Sequence, residues 1–527
     1  TEKLIQQYQN WHYSLQVKEG VNTIHVDEVA SKIASFYEKI RGIIDWKEEH
    51  LLRKSAIERI LKRRLLLETD LEEMSESFVF ELIRTGHFPN DRIEESKIIE
   101  VKKALEKYLF ILNNAPANSE KLKIELYDWL IGIAACEIEA ILAPPIREKA
   151  LIDFMSDLMT ERIEISEGKI IQKKPLSEKE KEIQVYIAVQ KALFKLDDNT
   201  ISYHLLNKKY PQWSQLSEKE LKEVTQNIYL IWQEINQALS HPLSQKFYRI
   251  CEKYDVAFLI LGDILSKNPL EAKKNLQQPE VLENLIKTAY QSRLEKLKGR
   301  MLRAAIYSTI SIFVTKILVA LLVEIPIDKY LLGGFNKNTL IFNIIIPPFL
   351  MFVLVFTIKP PKKENLNIVI MEIMKIIYEK EEKDLYLIKI GKKRGFFANT
   401  LIFLFYLFSF MFSFGVIVWG LRKLSFGMPS IIIFLIFLSL ISFAGTKIRQ
   451  RSKELDIIEE KNNFITFLVD ILSLPFIRVG RWLSKQWLKF NIVIVIITIL
   501  IDLPFHLFVE FLENWRTFIK EKKEEIH

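Results

Sequence analysis

Cysteine and glycine are both scarce in this chain of 527 residues, and each scarcity excludes a class of function. The two cysteines, Cys136 and Cys251, lie far apart within helical patterns, so they cannot build a disulfide framework or a multi-cysteine zinc site. Residues 1–300 hold only seven glycines. Phosphate-binding loops need clustered glycines, because backbone N–H groups must approach the ligand closely. Nucleotide-binding loops, G-x-S-x-G and kinase signatures are accordingly missing.

Histidine shows no metal-binding spacing. Six of the eight histidines lie in residues 1–300, and none belongs to an H-E-x-x-H or another close ligand pair. The nearest approach is Glu48-Glu49-His50, for which a solvated charged helix face is the favoured interpretation. We therefore predict no metal, no cofactor and no catalytic residues, and we do not expect an enzyme.

Net charge is distributed unevenly along the chain. Residues 1–300 hold 45 Lys+Arg and 47 Asp+Glu, whereas residues 301–527 hold 29 and 19. The basic excess thus lies beside the most apolar stretches, as expected of loops near an anionic membrane surface. A nucleic-acid-binding protein would carry a basic patch on its soluble domain. We predict membrane lipids, chiefly anionic ones, as partners, and no nucleic acid.

Residues 1–300 have the pattern of an all-helical soluble domain. Apolar residues recur at helical spacing, and prolines and asparagines separate about ten to twelve helices. Ser177 and Ser217 each stand three positions before a glutamate, which is the capping-box pattern of a helix start. A short β segment is expected only near Ile163–Gln172. The polar first 23 residues predict no cleavable signal peptide.

Residues 301–446 have the pattern of a membrane domain with four spans. A span needs about 20 apolar helical residues. The candidate spans are Ala304–Val323, Leu340–Ile358, Phe396–Trp419 and Met428–Ala444. The stretch from Glu280 to Val323 has no proline and a single glycine, so one nearly continuous helix should couple the soluble domain to the first span.

Lysine and arginine alternate in number from one side of the spans to the other. The five flanking segments hold six, two, ten, two and five of them in chain order. Because cytoplasmic loops carry the excess, this pattern predicts that the N-terminal domain, the 359–395 loop and residues 446–463 lie in the cytoplasm.

Residues 447–527 contain an internal repeat with a spacing of 29 residues. Residues 467–483 read FLVDILSLPFIRVGRWL and residues 496–512 read IITILIDLPFHLFVEFL. In each copy, Leu-Pro-Phe leads into an amphipathic pattern suited to the membrane interface. The preceding apolar runs, Phe464–Leu472 and Ile492–Ile501, are too short to span alone, so each either re-enters or continues through its proline as a kinked span. The predicted lipid-contact residues are Arg478, Arg481, Lys485, Trp482, Trp487 and Trp515.

Three ionisable residues lie in or beside apolar runs: Lys316, Asp470 and Asp502. Lys316 lies past the middle of the first span, and an ionisable group at membrane depth is a functional-site candidate. The favoured alternative is structural: Lys316 snorkels outward or pairs with Asp470 or Asp502. Asp502 begins the series Asp502–His506–Glu510, whose favoured interpretation is a helix cap followed by a wet helix face.

Four strings carry a family resemblance: VDEVASKIASFYEKIRGIIDW (26–46), RAAIYSTISIFVTK (303–316), LPFIRVGRWLS (474–484) and DLPFHLFVEFLENW (502–515). They resemble an uncharacterised family of bacterial polytopic membrane proteins with a helical cytoplasmic N-terminal domain. The resemblance implies the bacterial inner membrane and multiple passes. It transfers no catalytic residue.

The combined prediction is an all-α fold in which a helical soluble domain precedes a polytopic α-helical membrane domain. The first functional hypothesis is a membrane-anchored scaffold or tether that presents the helical domain to protein partners. The second is a transporter or channel component, and four spans are few for a monomeric transporter, so it calls for a homo-oligomer. A membrane-embedded lipid enzyme ranks last, because the sequence offers no recognisable nucleophile or metal cluster.

Overall fold

The fold is all-α, as the sequence predicts. The computed structural model describes residues 1–16, 20–29, 31–33, 35–36, 52–67, 71–166, 176–330, 337–358, 361, 364–378, 385–389, 395–457 and 464–489, together with 508–509, 511–512, 515–516, 518–519 and 522. It is 83% helical, and these residues form 19 helices with almost no strands.

The N-terminal domain is a layered helical array with one short strand. Its elements are α1 (Glu2–Ser14), α2 (Leu52–Leu67), α3 (Leu71–Arg84), α4 (Ser96–Asn114), α5 (Glu120–Leu142), α6 (Ile146–Arg162), β1 (Ile163–Ser166), α7 (Glu178–Phe194), α8 (Asp198–Lys209), a 3₁₀ turn (Trp213–Gln215), α9 (Glu218–Gln226), α10 (Ile228–Leu239), α11 (Ser244–Lys267) and α12 (Ala272–Gln277).

Local sequence signals set the ends of several of these helices. The predicted capping boxes are confirmed at the starts of α7 and α9. In the first, the Glu180 carboxylate accepts from the Ser177 backbone N–H at 2.9 Å, while the Ser177 hydroxyl accepts from the Glu180 N–H. Each box satisfies backbone donors that a helix start otherwise leaves without partners.

The rest of the chain begins with the long helix α13 (Pro279–Val319), which passes through a π-helical segment (Ala320–Glu324) into α14 (Ile325–Tyr330). The later elements are α15 (Lys337–Phe356), α16 (Glu364–Tyr378), β2 (Tyr386–Lys389), α17 (Phe396–Lys423), α18 (Met428–Ser452) and α19 (Phe464–Lys489). Helix α13 confirms the predicted continuous connection between the two halves, since it leaves the N-terminal domain and enters the apolar helices without a break.

Parts of the 359–395 loop belong to the core of the N-terminal domain. Strand β2 pairs in parallel with β1, with Ile163 opposite Tyr386. Val369 and Ile373 of α16 are fully buried in the same hydrophobic cluster as α5, α7 and α11, and Ile457 after α18 joins it. This pairing between segments more than 200 residues apart gives the N-terminal domain a second attachment to the rest of the chain.

The apolar bundle consists of α13 from residue 304 onward, α15, α17, α18 and α19. Three described helices are long and apolar enough to cross a membrane: Pro279–Ile327, Phe396–Lys423 and Met428–Ser452. The remaining predicted span, Leu340–Ile358, forms the apolar but shorter helix Leu340–Phe356. Glycine allows close contact between helices at two positions where a Cβ atom would clash. A Cβ at Gly445 would lie 2.2 Å from a methyl group of Leu354, and a Cβ at Gly480 would lie 2.0 Å from the Ser439 carbonyl oxygen.

Helix α19 contains the first Leu-Pro-Phe motif in its interior. The helix continues through Pro475, and the Ser473 hydroxyl donates to the Asp470 carbonyl within the same helix at 3.1 Å. In the first copy the helix therefore continues through its proline. Helix α19 runs antiparallel along α18, because Asp470 lies near Arg449 and Gly480 lies against Ser439. The second copy, including Ile492–Ile501, lies outside the described residues.

Candidate functional site

The most unusual group in the apolar bundle is a completely buried ion pair. The ammonium of Lys316, on the last turn of α13, contacts the carboxylate of Glu324, and both side chains have no solvent-exposed surface. Charges are costly to bury unless paired and hydrogen-bonded, and at membrane depth they mark functional sites by default. Lys316 also lies 5.0 Å from the centre of the Phe437 ring of α18, a distance suited to a cation–π contact.

The π-helical segment brings the two charges together. In a regular α-helix, residues eight positions apart are about 80° out of phase. Here the Ile325 N–H donates to the Ala320 carbonyl five residues earlier, so this turn holds one additional residue. The wider turn rotates Glu324 toward the face that carries Lys316. Such π turns within α-helices occur frequently at functional sites.

Asn343 of α15 completes the cluster. Its side-chain amide donates to the second carboxylate oxygen of Glu324 at 2.8 Å, and the residue is almost fully buried. Its carbonyl oxygen Oδ1 is buried and has no hydrogen-bond partner. We call Lys316, Glu324 and Asn343 the polar triad. An unsatisfied buried acceptor costs about 1–3 kcal/mol, so a group of this kind calls for an explanation.

The predictions that Lys316 snorkels outward or pairs with Asp470 are wrong. Lys316 is buried rather than snorkelling, and it pairs with Glu324, whereas Asp470 lies 3.7 Å from Arg449 and is about half exposed. Asp502 lies outside the described residues, as do His506 and Glu510. Sequence reasoning misses Glu324 because it follows directly after the predicted span Ala304–Val323. The polar amide of Asn343 inside the second apolar run was the available signal.

The predicted lipid-contact residues of α19 lie on one exposed face. Arg478, Arg481, Trp482 and Lys485 are all exposed. The guanidinium of Arg478 lies 4.5 Å from the centre of the Tyr406 ring of α17. Trp515 is also exposed, and the side chain of Trp487 lies outside the described residues.

A second polar cluster ties segments that flank the bundle helices to one another within the core of the N-terminal domain. The amide of fully buried Asn365, on α16, donates to the Tyr290 hydroxyl of α13 at 3.1 Å and to the Leu455 carbonyl. Its carbonyl oxygen accepts from the Ile457 backbone N–H at 2.8 Å. One side chain thus ties together three segments, and we call this arrangement the Asn365 clamp.

Ion pairs on α13 reinforce the clamp. Arg293 binds both carboxylate oxygens of Asp263 in α11, one of them at 2.9 Å. About two turns further on, Arg300 lies 3.6 Å from Glu454. Bidentate arginine–carboxylate contacts fix orientation as well as distance. The beginning of α13 is therefore held rigidly against the N-terminal domain.

Burial shifts the pKa of two described titratable groups of the N-terminal domain in opposite directions. Burial raises the pKa of Asp255 to about 8, with Lys195 3.8 Å away opposing the shift. Burial lowers the pKa of His204 to about 4, and its Nδ1 lies 2.6 Å from the Gln190 amide oxygen. Within the described part of the chain, no three His, Cys, Asp or Glu side chains are placed to hold a metal ion.

Comparison of the chain with protein-family models, with curated proteins and with solved structures gives no match. Function is therefore inferred from the polar triad, the Asn365 clamp and the apolar bundle alone.

Proposed function

We propose that the chain is a multi-pass protein of the bacterial inner membrane and serves as a membrane-anchored scaffold. The N-terminal domain would lie in the cytoplasm and meet protein partners at the membrane surface. Large apolar side chains on the outside of the bundle support the membrane location. Phe397 is 89% exposed, Phe356 82% and Leu322 73%. A continuous apolar surface of this extent is unfavourable in water and is typical of contact with lipid.

Packing contacts support the proposed sidedness. The segments 364–378 and 455–457 share a core with the N-terminal domain, so all three must lie on one side of a membrane. These segments adjoin the regions richest in lysine and arginine, which favours the cytoplasmic side. Arg516, near the C-terminal end of the chain, lies 3.4 Å from Asp27 of the N-terminal domain. This contact supports the same side of the membrane for both.

The Asn365 clamp is the observation that carries the scaffold proposal. A flexible tether would connect its domain through a linker without fixed contacts. Here the domain is joined through a continuous helix, a buried hydrogen-bond network and a parallel strand pair. Such a junction holds the N-terminal domain in one orientation relative to the membrane, which suits assembly of partners at a defined position.

Cross-linking in native membranes tests the scaffold proposal. Full-length chain treated with a lysine-reactive cross-linker should yield a stoichiometric complex whose cross-links map to residues 1–300. Asn365→Leu removes the clamp and should reduce the complex several-fold. The matched control is Asn114→Leu, whose amide is exposed and bonds only its own helix, and it should leave the complex unchanged. Recovery of the chain with lipids but no cross-linked partner would contradict the proposal.

The second candidate is a transporter or channel component, and the polar triad favours it. A buried ion pair beside a π turn, within helices that are otherwise apolar, resembles the polar centres from which membrane proteins build transport sites. This candidate is compatible with the clamp, because a rigid cytoplasmic domain can couple to a membrane site through α13. Reconstituted chain should then support a flux that Lys316→Met abolishes.

A further inference from the structure

We propose that the polar triad is a proton-binding site, with the Glu324 carboxylate as the proton-accepting group. The inference deepens the transport candidate above and names its ligand. The ligand would be a proton delivered by water, and the side of delivery would be the end of the bundle at which α14 lies. Glu324 begins that end, since α14, whose charged residues are Asp328 and Lys329, follows it directly.

The pair of Lys316 and Glu324 lies among apolar stretches of the bundle helices. Residues 304–323, of α13 and the π-helical segment, contain one charged residue, Lys316. Residues 338–356 of α15 and 428–446 of α18 contain none. Within these apolar ranges no other charge accompanies the pair, and the nearest charges along the chain are Asp328 and Lys329 of α14 and Lys337 at the start of α15. A buried pair of opposite charges is often no more stable than apolar residues of the same volume, so packing alone does not explain its presence.

Asn343 provides a partner for both protonation states of Glu324. Its Nδ2 now donates to the carboxylate, as a deprotonated Glu324 requires. A protonated Glu324 carries an O–H donor and needs an acceptor instead. The partnerless Oδ1 of Asn343 supplies that acceptor after the amide rotates about its terminal bond. The buried acceptor that is unexplained in the ion-paired state thus has a role in the protonated one.

The proton balance is simple. Hydronium gives a proton to the Glu324 carboxylate, which leaves water and a neutral carboxyl group. Lys316 then lacks its counter-ion and gives one proton to a water molecule, which leaves a neutral amine. The carboxyl group returns its proton to that amine across the hydrogen bond between them and restores the ion pair. One proton is taken up and one is released in each cycle.

Infrared difference spectroscopy tests the site on purified full-length chain in lipid nanodiscs. In a chain that carries Asp255→Asn, which removes a buried carboxyl group with a raised pKa, a change of pH should produce a protonated-carboxyl band that Glu324→Gln removes and Glu324→Asp retains. Asp470→Asn is the matched control: it removes a bundle carboxylate that is half exposed beside Arg449, and it should leave the band intact. A spectrum unchanged by Glu324→Gln would overturn the proposal, because the pair would then be a fixed structural contact.

The folding of the variants is checked with a double replacement, Lys316→Met with Glu324→Leu. It removes both charges, should unfold at a temperature close to that of the wild type, and should lack the band. Proton flux into liposomes, followed with an enclosed pH-sensitive dye, distinguishes a proton-binding site from proton transport. A band that depends on Glu324 without any flux would support the proton site and refute transport. Flux that persists in a folded Glu324→Gln variant would overturn the site and leave transport standing.

Discussion

Asp255 makes the stability of the N-terminal domain depend on pH. Its carboxyl group is buried in α11, and its pKa of about 8 lies well above the value of about 3.9 expected in the unfolded chain. Between these values the folded state binds more protons at Asp255 than the unfolded state does. The contribution of Asp255 to the free energy of unfolding is therefore full below pH 4 and is lost as pH rises toward 8. The loss is at most about 1.4 kcal/mol per pH unit.

Asp255→Asn should remove this dependence. We expect the thermal midpoint of the variant to rise relative to that of the wild type from pH 5 to pH 8. Above pH 8 the difference between the two midpoints should change little. Tryptophan fluorescence of the chain in nanodiscs measures the thermal midpoint at each pH. Asp198→Asn is the control, because its side chain is 68% exposed and pairs only at the surface with Lys191. Parallel pH profiles for wild type and Asp255→Asn would contradict the prediction.

Glu137 holds a satisfied polar network inside the same domain. Its two carboxylate oxygens accept from Lys107 at 2.6 and 2.7 Å and from the Tyr108 hydroxyl at 2.6 Å. Breaking one member of a buried ion pair costs about 3–5 kcal/mol, so Glu137→Ala should lower the unfolding free energy by that amount. Glu120→Ala, at an exposed pair with Lys123, should cost about 1 kcal/mol or less. Denaturant titration compares the unfolding free energies of the two variants. Equal losses would show that the buried network around Glu137 does not stabilise the domain more than a surface pair does.

At the scale of elements, α18 and α19 pack closely because of one glycine. A Cβ at Gly480 would lie 2.0 Å from the Ser439 carbonyl, whereas a Cβ at Gly415 would meet nothing within 4 Å. Gly480→Ala should therefore destabilise the bundle by about 1–3 kcal/mol through overpacking. Gly415→Ala should be neutral or stabilise by about 0.4–1 kcal/mol, since it only restricts the unfolded chain. Thermal unfolding of both variants in one detergent measures the contrast, and a harmless Gly480→Ala would show that α19 is not held against α18.

The elements also separate what sequence predicts from what it does not. Local patterns predicted the capping boxes at Ser177 and Ser217, the continuous α13 and the apolar helices, because each depends on neighbours in the chain. The pairing of Lys316 with Glu324 depends on a π turn, which the spacing of residues in the sequence does not predict. The Asn365 clamp depends on backbone groups some 90 residues away. Contacts of that kind follow from tertiary packing and leave no local pattern to detect.

At the scale of the whole molecule, the two cysteines allow a clean test of topology. Cys136 and Cys251 are both buried, and burial raises the pKa of the Cys136 thiol to about 12 and that of the Cys251 thiol further still. The thiolate is the reactive form, so neither should react with a maleimide at neutral pH while the protein is folded. The wild-type chain is therefore its own unlabelled background. New cysteines at exposed positions will report their side of the membrane directly.

Three positions decide the arrangement of the two halves: Glu120 in the N-terminal domain, Glu364 at the start of α16 and Leu424 between α17 and α18, all exposed. Because α16 packs into the N-terminal core, Glu120→Cys and Glu364→Cys should behave alike: protected from impermeant maleimide in spheroplasts and labelled in inside-out vesicles. Leu424→Cys lies at the far end of α17 and should show the reverse. If Glu364→Cys is labelled in spheroplasts while Glu120→Cys is protected, α16 does not share a core with the N-terminal domain. Labelling of both there would leave the core intact but invert the whole chain, and the positive-inside argument would be wrong.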